Sequence, residues 1–242
     1  MKPINVGLIG IGTVGGGTWT VLKRNADEIA RRAGRPIRIT AVADKNVELA
    51  KQVTGGEARV TDDAFSLVND PEIEVIVEVL GGLSPSKELV TEAIKNKKHI
   101  VTANKDLIAT HGAELFDLAR ENNVQIQFEA SVCGGIPIIN TLKQTLNANK
   151  FSKVLGILNG TTNYILSEML SRGISFEKCL KEAQDLGYAE PDPTNDVSGK
   201  DSAYKAAQDE PQDTYADVML TKDKSCDMLR RTIEDLCHFE EG

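Results

Sequence analysis

A short apolar run that stops at glycines constrains this chain more than any other feature. Ile4-Asn5-Val6-Gly7-Leu8-Ile9 reads as a fully buried parallel strand. Gly10-Ile11-Gly12-Thr13-Val14-Gly15 follows at once and fits G-x-G-x-x-G. Residues 13–32 then carry Val14, Val21, Leu22 and Ile29 at helix-compatible spacing, and a second strand over 37–43 stops at Asp44. Strand, glycine turn, helix, strand and acid, in that order, are the context a dinucleotide-binding motif requires. In that reading Gly10 allows the tight turn, Gly12 lets backbone approach a pyrophosphate, and Gly15 lets helix and strand pack closely. The helix N-terminus holds the phosphates with its free N–H groups. The competing reading is a glycine turn with no ligand. Asp44 could accept hydrogen bonds from a ribose 2′-OH, which favours NAD. Lys45 could meet a 2′-phosphate, which favours NADP, or stand as an ordinary solvated lysine.

The alternation continues down the chain. Strands are expected over 72–80, 99–102 and 124–128, with helices over 84–95, started by Ser84 or Ser86, and over 112–122. Such a repeat predicts an α/β fold, a Rossmann-type doubly wound parallel sheet. The texture changes near 130–140, where Ser131–Pro137 is rich in glycine and small residues. Beyond it the pattern predicts a helix over 140–147, a strand over 153–158, and helices over 164–171 and 176–186, the last capped by Ser175.

Charge and composition narrow the partners. The formal net charge of −8 argues against nucleic acid. Residues 206–242 hold ten acids against four bases, so the tail is compositionally a different object. No apolar run approaches the ~18 residues of a membrane span. The first residues show no signal-peptide pattern, so a cytoplasmic location is expected. Cys133, Cys179, Cys226 and Cys237 form no CxxC pair and read as reduced, buried or incidental thiols. His99 falls inside a strand and reads as a packed core histidine rather than a proton donor.

Three further segments stand in register. Val101-Thr102-Ala103-Asn104-Lys105 follows a strand. Asn159-Gly160-Thr161-Thr162-Asn163-Tyr164-Ile165-Leu166 crosses from strand to helix. Gly187-Tyr188-Ala189-Glu190-Pro191-Asp192-Pro193 is followed by Asp196-Val197-Ser198-Gly199-Lys200-Asp201 and Lys205. Together with Glu129-Ala130-Ser131-Val132 and Gly134-Gly135-Ile136-Pro137, these resemble the homoserine dehydrogenases from about residue 5 to 206. The resemblance implies oxidation of L-homoserine to L-aspartate 4-semialdehyde with NADP or NAD, or the reverse, in threonine, methionine and isoleucine biosynthesis. It implies that Glu190 and Asp201 bind the substrate, that Lys205 donates the proton in carbonyl reduction, and that Lys105 lies between nicotinamide and substrate and assists. It implies cofactor contacts from Thr13, Val14 and Gly187. It also implies a monovalent cation site, such as one for Na+, formed by Glu129 with the backbone carbonyls of Val132, Gly134 and Ile136. A homodimer is usual in the family.

Residue chemistry is compatible with these roles. Hydride transfer to an aldehyde builds negative charge on oxygen, so a proton donor must lie within reach. Asp201 and Lys205, four apart, share a face if helical. Taken by spacing alone they would be a solvated ion pair, and Lys105 a surface lysine. Cys133 departs from the family, which has a small glycine-like residue there, and it fits unless a positive φ is required.

The resemblance ends after Lys205. Three segments are therefore expected: a nucleotide-binding domain over 1–135, a shortened α+β substrate domain over 136–206, and an acidic tail over 207–242 with an amphipathic helix over 226–239. No ACT-like βαββαβ stretch is read, so feedback inhibition by threonine is not expected. Without the family's following sheet, the chain is expected to be a weak or inactive dehydrogenase that aggregates or dimerises through a different interface. The alternative is a truncated, non-catalytic NAD(P)-binding remnant or interaction protein.

Overall fold

Among the described residues six short segments form one parallel sheet: β1 (Ile4–Ile9), β2 (Ile37–Ala43), β3 (Arg59–Thr61), β4 (Val75–Glu78), β5 (His99–Thr102) and β6 (Ile126–Gln127). Their order across the sheet is β3-β2-β1-β4-β5-β6. The structure is a computed structural model that describes residues 2–150, 157–189 and 192–209, the last five as backbone alone. The chain divides into two compact units, one through Ile139 and one from Asn140 onward.

In the first unit the strands are joined by α1 (Thr13–Arg24), α2 (Ala26–Ala33), α3 (Val47–Thr54), α4 (Phe65–Val68), α5 (Ser86–Lys95) and α6 (Lys105–Asn122). The strand order reverses between β1 and β4, which opens the crevice where such sheets bind ligands. Both sheet faces are covered, as parallel sheets require. Val6, Leu8, Ile39, Val42 and Val77 pack on one face with Trp19 and Ala50. Ile9, Ala41, Ala43, Ile76 and Ile100 pack on the other with Leu89, Ile94, Leu107 and Leu115. Each fully buried aliphatic side chain contributes about 1.5–3 kcal/mol, so these two layers fix the strand ends that carry the loops.

The helical run expected over 13–32 breaks at Asn25, whose amide closes on Val21 O before α2 begins. The segment after Asp44 contains α3, β3 and α4, none of which the sequence pattern announced. The strand expected over 72–80 is confined to 75–78. Helix α5 begins at Ser86 as expected, though neither serine caps it: the Ser86 hydroxyl donates to Glu78 and the Ser84 hydroxyl to Glu88. Helix α6 starts seven residues earlier than expected, where the Asn104 side chain accepts from Leu107 N. His99 is not a core residue: it is exposed at the start of β5, and its Nδ1 accepts from Gln125 N at 3.1 Å.

Past β6, Phe128 stacks near Phe116 of α6 at 5.2 Å between centroids and buries with Val132 and Ile139. The expected helix over 140–147 is realised as a short turn, Ile138–Asn140, labelled α7, followed by a wider π-helical stretch over Thr141–Thr145. The described part of the second unit is otherwise helical: α8 (Gly160–Arg172), α9 (Phe176–Asp185), α10 (Thr194–Val197) and α11 (Lys200–Asp209). Ile165 of α8 packs on Cys179 and Ala183 of α9, and Ser175 caps α9 by accepting from Lys178 N. Most of the strand expected over 153–158, and the whole helix expected over 226–239, lie outside the described residues. Among the described residues no helix is long and apolar enough to cross a membrane.

Candidate functional site

In the first unit the glycine turn is built for two opposite purposes. Gly10 has φ +99, and a Cβ there would sit 2.9 Å from Val79 O. At Gly15 a Cβ would sit 2.0 Å from Gly10 O, so α1 lies directly against the turn. These two glycines are demanded by the fold. Gly12 is different: a Cβ there would meet nothing within 4 Å. Its backbone faces open space at the N-cap of α1, and the first turn, Thr13, Val14 and Gly15 onward, carries no acidic side chain. A helix N-terminus with no acid in its first turn, behind an open glycine, is a fit for a phosphate group.

Asp44, at the tip of β2, is spoken for on both oxygens. Oδ2 accepts from Ile11 N at 2.7 Å and Oδ1 from Asn46 N at 2.7 Å. The carboxylate therefore braces the glycine turn, and a ribose hydroxyl would use its remaining lone pairs. Lys45 is exposed and donates to Asp62 O at 3.3 Å.

Lys105 is half-buried at the first position of α6. The helix dipole disfavours a cation there, by about 0.3–1 kcal/mol for an exposed group. The stretch from Glu129 to Ile139 is closed into a loop, because Glu129 Oε1 accepts from Ile139 N at 2.9 Å. Val132 is buried, whereas Gly134 and Ile136 are exposed. Ile136 N donates to Cys133 O at 2.7 Å, and Ile136 O accepts from Ile138 N at 2.9 Å. Cys133 has φ +48, the condition under which a cysteine fits poorly. Among the described residues no group of three or more His, Cys, Asp or Glu side chains is placed to hold a metal ion.

The second unit carries a cavity of about 580 Å³ lined by Asn159, Gly160, Thr161, Tyr164, Tyr188, Asp196 and Asp201. Asn159 organises it. As N-cap of α8, its Oδ1 accepts from Thr162 N at 2.8 Å, while its Nδ2 donates to Asp196 Oδ1 and to Asp201 Oδ2, each at 2.8 Å. One primary amide thus holds two carboxylates side by side, and Asp201 is nearly fully buried. Thr161 donates to Tyr188 O at 2.7 Å, and the Tyr164 and Tyr188 rings meet edge-on at 5.1 Å. Burial pushes the Tyr164 phenol up, with the Glu168 and Glu182 carboxylates adding to the effect, so it stays neutral. Burial likewise pushes the Cys179 thiol up, which makes it a packing residue. Gly187, at φ +75, ends the α9 turn next to Tyr188. Asp201 and Lys205 are both on α11, where Lys205 belongs to the part described by backbone alone. Glu190 lies outside the described residues.

Asn159 and Asp196 stand within the sequence motifs, but the motifs assign neither a role. Sequence reasoning missed Glu78, the buried carboxylate that ends β4. The signal for Asn159 was present, an Asn before a helical run, which is an N-cap pattern.

Comparison with known proteins gives two matches to family models. Residues 10–129 match the homoserine dehydrogenase NAD binding domain, and residues 137–208 match homoserine dehydrogenase. A homoserine dehydrogenase of Methylobacillus glycogenes is 56% identical over 205 residues, 85% of this chain and 50% of the relative. The crystal structure of a homoserine dehydrogenase from Thiobacillus denitrificans superimposes with a TM-score of 0.80 at 55% identity, over 86% of this chain and 48% of that one. A hyperthermophilic archaeal homoserine dehydrogenase in complex with NADPH superimposes with a TM-score of 0.72 at 28% identity, over 86% of this chain and 68% of that one. The chain spans about half the length of the curated relatives it matches.

Proposed function

This chain belongs to the homoserine dehydrogenase family, and from that premise we propose that it interconverts L-homoserine and L-aspartate 4-semialdehyde with NADP or NAD. The observation that carries the reading is the Asn159-held pair of carboxylates, Asp196 and Asp201, beside a cavity of small-ligand size. Two anions fixed on one amide suit the ammonium of an amino acid. Asp201, together with Glu190, binds that group and orients the substrate.

The first unit, with the glycine turn, is the nucleotide-binding domain, and residues 136–206 contribute part of the substrate domain. The nicotinamide cofactor, when bound, supplies or accepts the hydride. Gly10, Gly12, Thr13, Val14, Gly15, Asp44, Lys45, Lys105 and Gly187 are the residues of this chain assigned to hold it. Lys45 is the one that would meet a 2′-phosphate. Lys205 delivers a proton to the oxygen as the aldehyde is reduced and removes it in the opposite direction, while Lys105 assists that transfer. Glu129, with the carbonyls of Val132, Gly134 and Ile136, is assigned a monovalent cation such as Na+. The support is the closed 129–139 loop, which keeps carboxylate and carbonyls in one short segment. Homodimerisation, a cytoplasmic location and a place in threonine, methionine and isoleucine biosynthesis complete the proposal.

The test is to mix the protein with NADPH and aspartate 4-semialdehyde and follow the loss of reduced-nicotinamide absorbance, with NADPH binding measured separately. Measurable turnover is expected, even if slow. Binding of NADPH with no turnover would instead identify a nucleotide-binding remnant.

A further inference from the structure

The carboxylate that ends β4 has no part in the proposed chemistry, yet it is entirely buried. Glu78 is 0% exposed. Its Oε1 accepts from Leu80 N at 2.9 Å, from the Ser86 hydroxyl at 3.1 Å and from Asn104 Nδ2 at 3.5 Å. Its Oε2 accepts from the Thr102 hydroxyl at 2.7 Å. These donors come from four stretches: the loop after β4, the first residue of α5, the end of β5, and the N-cap of α6. The web continues outward. Thr102 Oγ1 also accepts from Asn104 N at 3.0 Å, and Asn104 Nδ2 also donates to Gly82 O at 2.7 Å. Asn104 Oδ1 then caps α6 by accepting from Leu107 N at 3.1 Å. Lys105 is the next residue along the chain.

Burying a carboxylate costs free energy even when every oxygen is satisfied, and well-packed apolar residues would often serve stability as well or better. What this carboxylate does that an apolar side chain cannot is fix where α6 begins. Asn104 is held on its amide hydrogen through Thr102, on its side-chain amide by Glu78 and Gly82, and on its side-chain oxygen by the helix. That leaves the backbone of Lys105 one placement.

We propose that Glu78 is a positioning residue for Lys105, acting through Thr102 and Asn104. The inference rests on the reading of Lys105 as the lysine that assists proton transfer. Its test turns on a pair of substitutions that packing and positioning rank in opposite order. Thr102→Val keeps the volume and removes the hydroxyl. Thr102→Ser keeps the hydroxyl and loses a methyl group. In the full chain, Thr102→Val and Glu78→Gln are expected to lower kcat for aspartate 4-semialdehyde reduction by about 10- to 100-fold, the scale of an ångström-sized misplacement. The substrate KM should stay within about twofold, and Thr102→Ser should recover kcat to within about threefold of the parent. Amide hydrogen exchange at Leu107 and Ile108 should be faster in the valine variant than in the serine variant, with β1 and β2 amides unchanged. Equal behaviour of valine and serine, or a loss carried by KM, overturns the proposal. If the parent binds NADPH but does not turn over, the proposed activity fails by itself. The exchange ranking then decides alone: valine faster than serine sustains the positioning role, and equal or reversed rates overturn it.

Discussion

Gly12→Val should separate the fold from the ligand. The fold asks little of position 12: the backbone lies at φ −62 and ψ −159, open to any L-residue, and a Cβ meets nothing within 4 Å. Losing glycine at an N-cap costs a few tenths to about 1 kcal/mol. The smaller conformational freedom of the unfolded valine chain returns about 0.4–1 kcal/mol. Stability should therefore change by less than about 1 kcal/mol, or about 2–4 °C in melting temperature for a chain of this size. Cofactor binding should not survive so well. The new methyl groups occupy the space through which α1's first turn reaches a phosphate, and losing one charge-assisted hydrogen bond there is worth about 1.5–3 kcal/mol. That is a rise in Kd of about 10- to 150-fold. Gly15→Ala is the control. Its Cβ would lie 2.0 Å from Gly10 O, so helix and turn must part. Ordinary carbon contacts need about 3.5 Å, and forcing such a shift costs about 1–3 kcal/mol. This variant should lose stability and binding together. Thermal unfolding paired with fluorescence titration of NADPH reads both quantities. A Gly12→Val protein that binds NADPH like the parent would refute the assignment of the glycine turn, and one as destabilised as Gly15→Ala would refute the division of labour between the glycines.

Other substitutions probe the remaining assignments. Lys205→Met should cut turnover by roughly 100-fold or more while leaving NADPH affinity unchanged, and steady-state kinetics beside a binding titration would show it. Glu190→Leu should raise the homoserine KM with little effect on cofactor binding; unchanged kinetics would remove Glu190 from the substrate site. The Arg172 guanidinium, hydrogen-bonded at 2.7 Å, holds the Glu182 carboxyl below its usual range. A depressed folded value gives stability that is present above the unfolded carboxylate value and is lost as pH falls through the folded one. Glu182→Gln should therefore flatten the acid side of the stability profile, as urea unfolding over a pH series would detect. Cys133→Gly should raise the melting temperature, since an L-residue at φ +48 costs about 1–2 kcal/mol and glycine's extra unfolded freedom offsets about half of that; a lower melting temperature would mean that the thiol's packing outweighs the backbone.

The sheet was legible where burial on both faces imposes its own pattern. The run Ile4–Ile9, the segment Ile37–Ala43 and the segment His99–Thr102 are strands over the residues expected. Between Asp44 and Asp70, β3 and α4 are too short to show a period, with three and four residues, whereas α3, with eight, carries a readable N-cap at Asn46. The pattern starts helix α6 only at 112, although an Asn such as Asn104 just ahead of a helical run is an N-cap signal. The candidate site divides the same way. Gly10, Gly15 and Asp44 were readable because local geometry demands them, and their neighbours in space lie at fixed offsets in a strand–turn–helix unit. Glu78 was not readable. In the sequence it is one charged residue in an apolar run, and an exposed strand end explains that as well as a buried one. Its meaning depends on Ser86, Thr102 and Asn104, which only the pairing of β4 with β5 brings to it, in the register Glu78 to Thr102. A carboxylate buried among donors from distant stretches is set by tertiary structure, so no window along the chain reveals it. That is also why its role is better sought in what it holds in place than in any motif it belongs to.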